Sequence, residues 1–218
     1  MVSPVLANVY LHFALDLWFE KVVKAHCKGA AMIIRYADDF VCAFQYRGEA
    51  KWFFEMLPDR LGKFGLSVAP EKTGMMRFSR FHPSRSRRIV FLGFETYWTY
   101  DQDGEVRVMQ RTARKKLQSA CRRIKDWIKR NRHLKGIKFI TALNRRLHGH
   151  YNYYSVVGNS KSLWKFYSWA VECAFKWLNR RGGKRRSFTW KVFLSAIERL
   201  GIAKPKLPVS TKRHRVFS

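Results

Sequence analysis

Three observations predict an α+β fold. Apolar runs of period two are confined to the first half of the chain, the period changes to about 3.6 from Thr112 onward, and positive charge gathers in that second half. Hydrophobic residues make up 47% and aromatics 16% of the 218 residues, enough for one sizeable core or two small ones, which excludes a disordered basic tail.

The elements follow in order. Residues 3–26 read as a helix with Pro4 at its first position and Leu6, Val9, Phe13 and Leu17 on one apolar face. Residues 30–35 and 40–45 are rich in apolar and β-branched side chains and read as two strands joined through "YADD". A helix from Glu49 to Phe64 should stop at Gly65, and "LSVAPEKTGMMRFS" should give two strand pieces around a loop. After the basic loop "RFHPSRSRR", the runs "IVFLGFETYWTY" and "VRVMQ" flank Asp103-Gly104, a hairpin signal. Three amphipathic helices come next. Their apolar faces are Leu117, Cys121, Ile124 and Ile128; then Ile140, Leu143, Leu147 and Tyr151; then Leu163, Phe166, Ala170, Ala174 and Leu178 after a turn at Gly158-Asn159. A last helix, "TWKVFLSAIERL", is capped by Thr189 and stopped by Gly201, and the basic tail beyond it should be poorly ordered. The expected domains are 1–110, 111–200 and a tail 201–218.

Charge narrows the function. Residues 1–100 carry 14 Lys+Arg against 9 Asp+Glu, whereas residues 101–218 carry 30 against 6, a net of +24 within the total of +29. A bundle that basic and that aromatic points to polyanion binding, nucleic acid before membrane surfaces or acidic proteins. Cys27, Cys42, Cys121 and Cys173 form no CxxC pair and have no histidine at ligand spacing, which argues against zinc and against a disulfide framework. No charge-free apolar run approaches the roughly 18 residues of a membrane span, and the N-terminus lacks signal-peptide features, so a soluble cytoplasmic protein is expected.

Asp38 and Asp39 stand adjacent between two apolar strands. Asp is common in solvated turns because it hydrogen-bonds its own backbone, but two like charges beside covered strands suit a hard divalent cation such as Mg²⁺ or Mn²⁺ better. Phosphoryl transfer with two metal ions requires such clustered carboxylates.

Five ordered stretches then carry a resemblance: "SPVLANVYLH" at 3–12, "RYADDF" at 35–40, "LSVAPEKT" at 66–73, "FLGF" at 91–94, and "LHGHYNYYSVVGNSKSLWKFY" with "KWLNRRGGKRRSFTW" within 147–190. Together they resemble the C-terminal portion of bacterial group II intron reverse transcriptases, or maturases: later palm motifs with a YADD hairpin sheet, then a three-helix thumb or maturase bundle. The resemblance implies a bacterial RNA-directed DNA polymerase that binds and helps to splice structured intron RNA. Asp38 and Asp39 would be its metal-binding carboxylates. Tyr36 and Ala37 would lie near the incoming nucleotide and primer end, Lys72 near the departing pyrophosphate, and the hairpin containing Phe91, Leu92 and Gly93 would grip the primer. The implied partners are an RNA template with a DNA primer, deoxynucleoside triphosphates and intron RNA.

Each residue also has a structural alternative. Lys72 suits an ordinary loop, and Phe91 and Leu92 suit a core. Tyr151, Tyr153 and Tyr154 beside Asn152 have helix-like spacing and either pack or stack on RNA bases. Arg122, Arg123, Lys125, Lys129, Arg145, Arg146, Lys184, Arg185 and Arg186 are either solvated surface or phosphate contacts, the density favouring phosphate. The family also builds its metal site from an aspartate on an earlier strand, and the acidic residues before Asp38 are Asp16 and Glu20 on the first helix. The expectation is therefore a truncated reverse transcriptase, inactive in polymerisation unless an upstream fingers and palm fragment is supplied. A non-enzymatic RNA-binding maturase piece is the alternative.

Overall fold

Six helices and two small antiparallel sheets make up the described residues of the computed structural model, which are 3–101, 103–180 and 188–206. The α+β expectation holds. The chain divides into units Met1–Ser79 and Arg80–Ser218, so the sheet after residue 88 groups with the helical bundle, a division that differs from the period change near residue 110.

In the first unit, α1 (residues 3–26) contains two π-helical stretches, His12–Asp16 and Phe19–Val23. Each wide turn carries an extra residue and rotates the succeeding residues by about 100° relative to an even 3.6 period. This corrects the expected face. Leu6, Val9 and Phe13 are at least half exposed, and the core takes Ala14, Leu15, Trp18, Phe19 and Val23. Arg60 donates from Nε to the Ala14 carbonyl at 2.9 Å and from Nη2 to that of Phe13 at 3.1 Å, which satisfies backbone acceptors in the π-helical region. Strands β1 (Ala31–Tyr36) and β2 (Asp39–Phe44) pair antiparallel from Ala31↔Phe44 to Tyr36↔Asp39. Helix α2 (Arg47–Gly62) covers one face of this hairpin with Phe53, Leu57 and Leu61. Phe53 meets Trp18 and Phe19 at 5.6 Å and Phe44 at 5.2 Å between ring centroids, aromatic contacts that add to area burial.

Residues 66–79 form no strand, contrary to the sequence expectation. They contain a single 3-10 turn, Pro70–Lys72, because a strand needs a hydrogen-bonded neighbour and the first sheet consists of β1 and β2 alone.

The second unit opens with β3 (Ile89–Phe91), β4 (Phe94–Tyr100) and β5 (Val106–Thr112), an antiparallel meander in that order. At the Asp103-Gly104 loop, the Asp101 side chain accepts the N–H groups of Asp103 and Glu105. Buried Glu95 links the sheet to the bundle: its carboxylate takes Arg111 Nη2 at 2.7 Å, Arg88 Nη1 at 3.3 Å and the Arg114 N–H at 3.1 Å. Burial pushes this carboxyl up, yet the Arg114 N–H and the guanidinium groups of Arg111 and Arg88 outweigh it and hold it below the usual range.

Helix α3 (Arg114–Asn131) buries Ala120, Ile124, Trp127 and Ile128 and leaves the predicted Leu117 and Cys121 only partly buried beside them, while α4 (Gly136–Tyr154) and α5 (Ser160–Leu178) bury the predicted apolar faces. Fully buried Asn159 is the junction: Oδ1 accepts the Thr112 N–H, and Nδ2 donates to Thr112 Oγ1 and the Tyr154 carbonyl, each at 2.8 Å. Helix α6 (Trp190–Arg199) starts at Thr189, whose Oγ1 accepts the Val192 N–H, and ends before Gly201 at φ +73°. The expected loose tail, residues 204–218, needs correction over 204–206, which are still tied to the bundle. Ile202 enters the core, Asn144 binds the Gly201 carbonyl and the Ala203 N–H, and Ser155 donates to the Lys206 carbonyl; residues 207–218 lie outside the described residues. Among the described residues no helix is long and apolar enough to cross a membrane.

His150 on α4 stacks on Phe166 at 3.9 Å, and burial, with a smaller contribution from Arg123, lowers its pKa to about 4. An unfolded histidine accepts its proton near pH 6.5, so between about 4 and 6.5 the unfolded chain binds more protons than the folded one. Stability of the second unit should therefore be complete above about pH 6.5 and decline as pH falls towards 4. Thermal melts across this range should show the loss, and His150→Phe should flatten it.

Candidate functional site

The turn between β1 and β2 consists of Ala37 and Asp38, with Tyr36 and Asp39 as the last ladder pair. A two-residue connection needs left-handed backbone, and Ala37 supplies it at φ +53°, a conformation that costs a residue with a Cβ about 1–2 kcal/mol. Side chains alternate across β1. Ala31, Ile33 and Arg35 turn toward α1 and α2, while Met32, Ile34 and Tyr36 face solvent. Cross-strand partners share a face, so Asp39 lies with Tyr36 at the end of this exposed apolar strip. Tyr36, Ala37, Asp38 and Asp39 are all exposed.

The donor set suits a hard cation in kind, since two adjacent carboxylates present oxygen ligands and neither has an ion-pair partner among the described residues. Among those residues no group of three or more His, Cys, Asp or Glu side chains is placed to hold a metal ion. Lys72 ends the 3-10 turn, exposed, and no hydrogen bond or ion pair joins it to Asp38 or Asp39 among the described residues.

Arg35 is a site residue that the sequence reading lacks. Its guanidinium binds Asp16 through both arms, Nε to Oδ1 at 2.8 Å and Nη2 to Oδ2 at 2.6 Å, while Nη1 donates to Asn8 Oδ1 and to the Ala37 carbonyl, both at 2.9 Å. The Arg35 hydrogen bond holds the Asp16 carboxyl below the usual carboxylate range despite partial burial. A charge at an inward position of an apolar strand, with an acid in the apolar helix before it, is the signal that could have found the pair.

In the second unit, the turn of "FLGF" is Leu92-Gly93, with φ +48° and +78° between the partners Phe91 and Phe94. Phe91, Leu92 and Gly93 are half-buried. Two tyrosines from the end of α4 close on this turn. Tyr153 Oη donates to the Leu92 carbonyl at 2.9 Å and its ring stacks on Phe94, while Tyr154 meets Phe94 edge-on at 5.2 Å. Tyr151 is a core residue, 4% exposed, with its hydroxyl on the Ala203 carbonyl. That corrects the stacking reading for Tyr151, because the same helical period that spaces the tyrosines turns its ring inward. Tyr153 keeps an exposed ring and Tyr154 is half-buried.

Arg122, Arg123, Lys125 and Lys129 on α3, and Arg145, Arg146 and Asn152 on α4, are exposed. Several cations lie over indoles: Arg146 is 4.2 Å from the centroid of Trp127, and Lys129, Arg132 and Arg180 lie 5.2–5.8 Å from that of Trp177. Like charges crowd there. Burial and the neighbouring Arg145 and Arg130 lower the Arg146 pKa. Lys184, Arg185 and Arg186 lie outside the described residues.

Comparison with protein families places this geometry. Residues 1–96 match the reverse transcriptase (RNA-dependent DNA polymerase) model, and residues 117–193 match the group II intron maturase-specific domain. The chain belongs to the group II intron reverse transcriptases, or maturases. Comparison with curated proteins gives no match. Reverse transcriptases generally use divalent metal ions, and the two matched domains imply nucleic-acid partners. The aspartate turn falls in the reverse transcriptase match, the basic helices in the maturase match. The Tyr153–Leu92 hydrogen bond joins the two matched segments of this maturase inside one unit.

A Cβ on Gly93 would sit 2.9 Å from Tyr154 Oη at a backbone φ that disfavours side chains. Gly93→Ala should destabilise the second unit by about 1–2 kcal/mol, read from the urea midpoint. An equivalent change at Gly149, where a Cβ meets nothing within 4 Å, should be neutral or stabilising.

Proposed function

We propose that this maturase acts in RNA-directed DNA synthesis and intron RNA binding, with Asp38 and Asp39 as metal-binding carboxylates and the basic faces of α3 and α4 as the RNA surface. The observation that carries the reading is a two-residue hairpin turn in which Asp38 and the adjoining first residue of β2, Asp39, carry carboxylates with no ion-pair partner among the described residues, inside the segment that matches the reverse transcriptase family. Mg²⁺ or Mn²⁺ held there would stabilise charge developing on the attacking and leaving oxygens of phosphoryl transfer.

The chain's own residues supply orientation. Tyr36 and the Ala37 backbone lie beside the carboxylates, where a deoxynucleoside triphosphate and a primer end would meet on an RNA template. Lys72 offers a point charge for a departing pyrophosphate. The Leu92-Gly93 turn offers backbone groups to the primer, Phe91 anchoring it from β3. This makes the first unit part of a palm and the helical bundle a thumb. A cytoplasmic site of action in a bacterium belongs to the same proposal.

Two carboxylates do not complete a two-metal site, so synthesis should need a further carboxylate from polypeptide that covers the exposed side of β1 and α1. Exposed Met32, Ile34 and Tyr36 on β1, and Val5, Leu6, Val9 and Phe13 on α1, are the apolar surface such a segment would bury. In primer extension, the 218-residue chain alone should incorporate no nucleotides, and a separate fingers and palm fragment that supplies the further carboxylate should restore synthesis in trans. Templated synthesis by the chain alone would overturn the requirement. The second reading, a non-enzymatic RNA-binding maturase, is favoured by the same shortage of ligands among the described residues and would show RNA binding with no synthesis under either condition.

RNA affinity should fall steeply with salt. If about six phosphates are contacted, raising salt from about 50 to 200 mM should weaken binding about a thousandfold. Replacing Arg122, Arg123, Lys125 and Lys129 by Gln should flatten that slope by nearly one for each phosphate no longer neutralised. Replacing Tyr153 by Leu should lower affinity equally at every salt concentration, as loss of stacking would.

A further inference from the structure

We infer that Arg35 is the positioning residue of the aspartate turn, setting the direction of Asp38 and Asp39 by holding the Ala37 backbone in its left-handed conformation. Arg35 sits at an inward place on β1, its side chain only 13% exposed, where Ala31 and Ile33 pack against the core. From there its guanidinium makes four contacts in two directions. Toward α1 it pairs with both oxygens of Asp16 and with Asn8; toward the turn it donates to the Ala37 carbonyl. Asp16 closes the first π-helical stretch, so the anchor stands on a helix whose own register is shifted there. His12 Nδ1, at 3.4 Å, is the other group on Asp16.

The geometry has a chemical consequence. A two-residue turn with alanine at its first position has no glycine to relax the backbone, and its carbonyl points out of the ladder. Without a donor on that carbonyl, the peptide joining Ala37 to Asp38 is free to rotate, and the Asp38 carboxylate swings with it. Arg35 removes this freedom by fixing the oxygen against α1. The sign of the expected effect separates positioning from plain electrostatics. A cation beside two carboxylates opposes divalent-metal binding, so removing it should tighten binding if charge is all that Arg35 contributes. Positioning predicts the reverse.

The inference about metal rests on the proposed role of Asp38 and Asp39; the inference about the turn does not. The test uses the full chain with Arg35→Gln, Arg35→Lys and, as a milder change, Asp16→Asn. Arg60→Gln, which removes another arginine bonded to α1 carbonyls, is the control. Two quantities are read: the carbon chemical shifts of Ala37 by NMR, which report its φ, and the Mn²⁺ dissociation constant. Arg35→Gln and Arg35→Lys should shift Ala37 out of the left-handed range and weaken Mn²⁺ binding about fivefold or more. Asp16→Asn should give an intermediate Ala37 shift, and Arg60→Gln should leave it in place. An unchanged Ala37 in Arg35→Gln with its core resonances intact overturns the inference. If Arg35→Gln fails to fold, an unchanged Ala37 in Asp16→Asn does so. Tighter Mn²⁺ binding in Arg35→Gln likewise overturns it in favour of electrostatics. Absence of Mn²⁺ binding to the unaltered chain would instead defeat the metal reading, with the Ala37 shifts still deciding the role of Arg35.

Discussion

Two hairpin turns impose the same constraint on this chain: each connects its strands in two residues, each needs left-handed backbone, and each has a carbonyl bound by a side chain that is anchored on a helix. At Ala37 the donor is Arg35, braced on Asp16 of α1; at Leu92 it is Tyr153 from the end of α4. The tight turns fix strand register. Register then decides that Asp39 lies with Tyr36 on the exposed face and that Phe94 lies under the two tyrosines. A partly buried ion pair braces one turn and an exposed tyrosine hydroxyl the other, and these hydrogen bonds are what make each turn specific.

The second unit adds a further polar junction. Asn159 ties the end of β5 to the end of α4, and Glu95 ties β4 to the start of α3, so the sheet and the bundle share hydrogen bonds as well as packing. Tyr153 therefore holds the Leu92-Gly93 turn from a helix that is itself fixed to the same sheet. The basic residues of α3 and α4 stand on the outside of this frame, Arg146 resting on Trp127 and Lys129 on Trp177. An indole face holds a cation without neutralising it, which keeps the charge available to phosphate.

Much of this is legible in the sequence. The period change at Thr112, the faces of α4 and α5, the Gly158-Asn159 turn and the Thr189 cap depend on local patterns and appear as expected. The face of α1 is not legible, because nothing in a regular 3.6 pattern announces a π-helical turn. Residues 66–79 mislead because strand-like composition does not supply a strand neighbour. At the site, "YADD" and "FLGF" mark the turns, whereas the groups that brace them do not show. Arg35 and Asp16 are 19 residues apart and are hinted at only by a charge on the inward side of an apolar strand, whereas Tyr153 and Leu92 are 61 apart with no local pattern linking them. Tyr151 and Tyr153 differ by two positions and end on opposite sides of the helix, as the apolar period through Ile140, Leu143, Leu147 and Tyr151 indicates.

The central claim is that Asp38 and Asp39 present their carboxylates together as a cation site at the end of the β1–β2 hairpin. Paramagnetic relaxation by Mn²⁺ tests it most directly, by mapping which backbone amides of the full chain lose intensity as the ion is added. The account predicts selective loss over residues 36–40, abolished when both aspartates are replaced by alanine. Loss centred elsewhere, or the same pattern in the double variant, would contradict it.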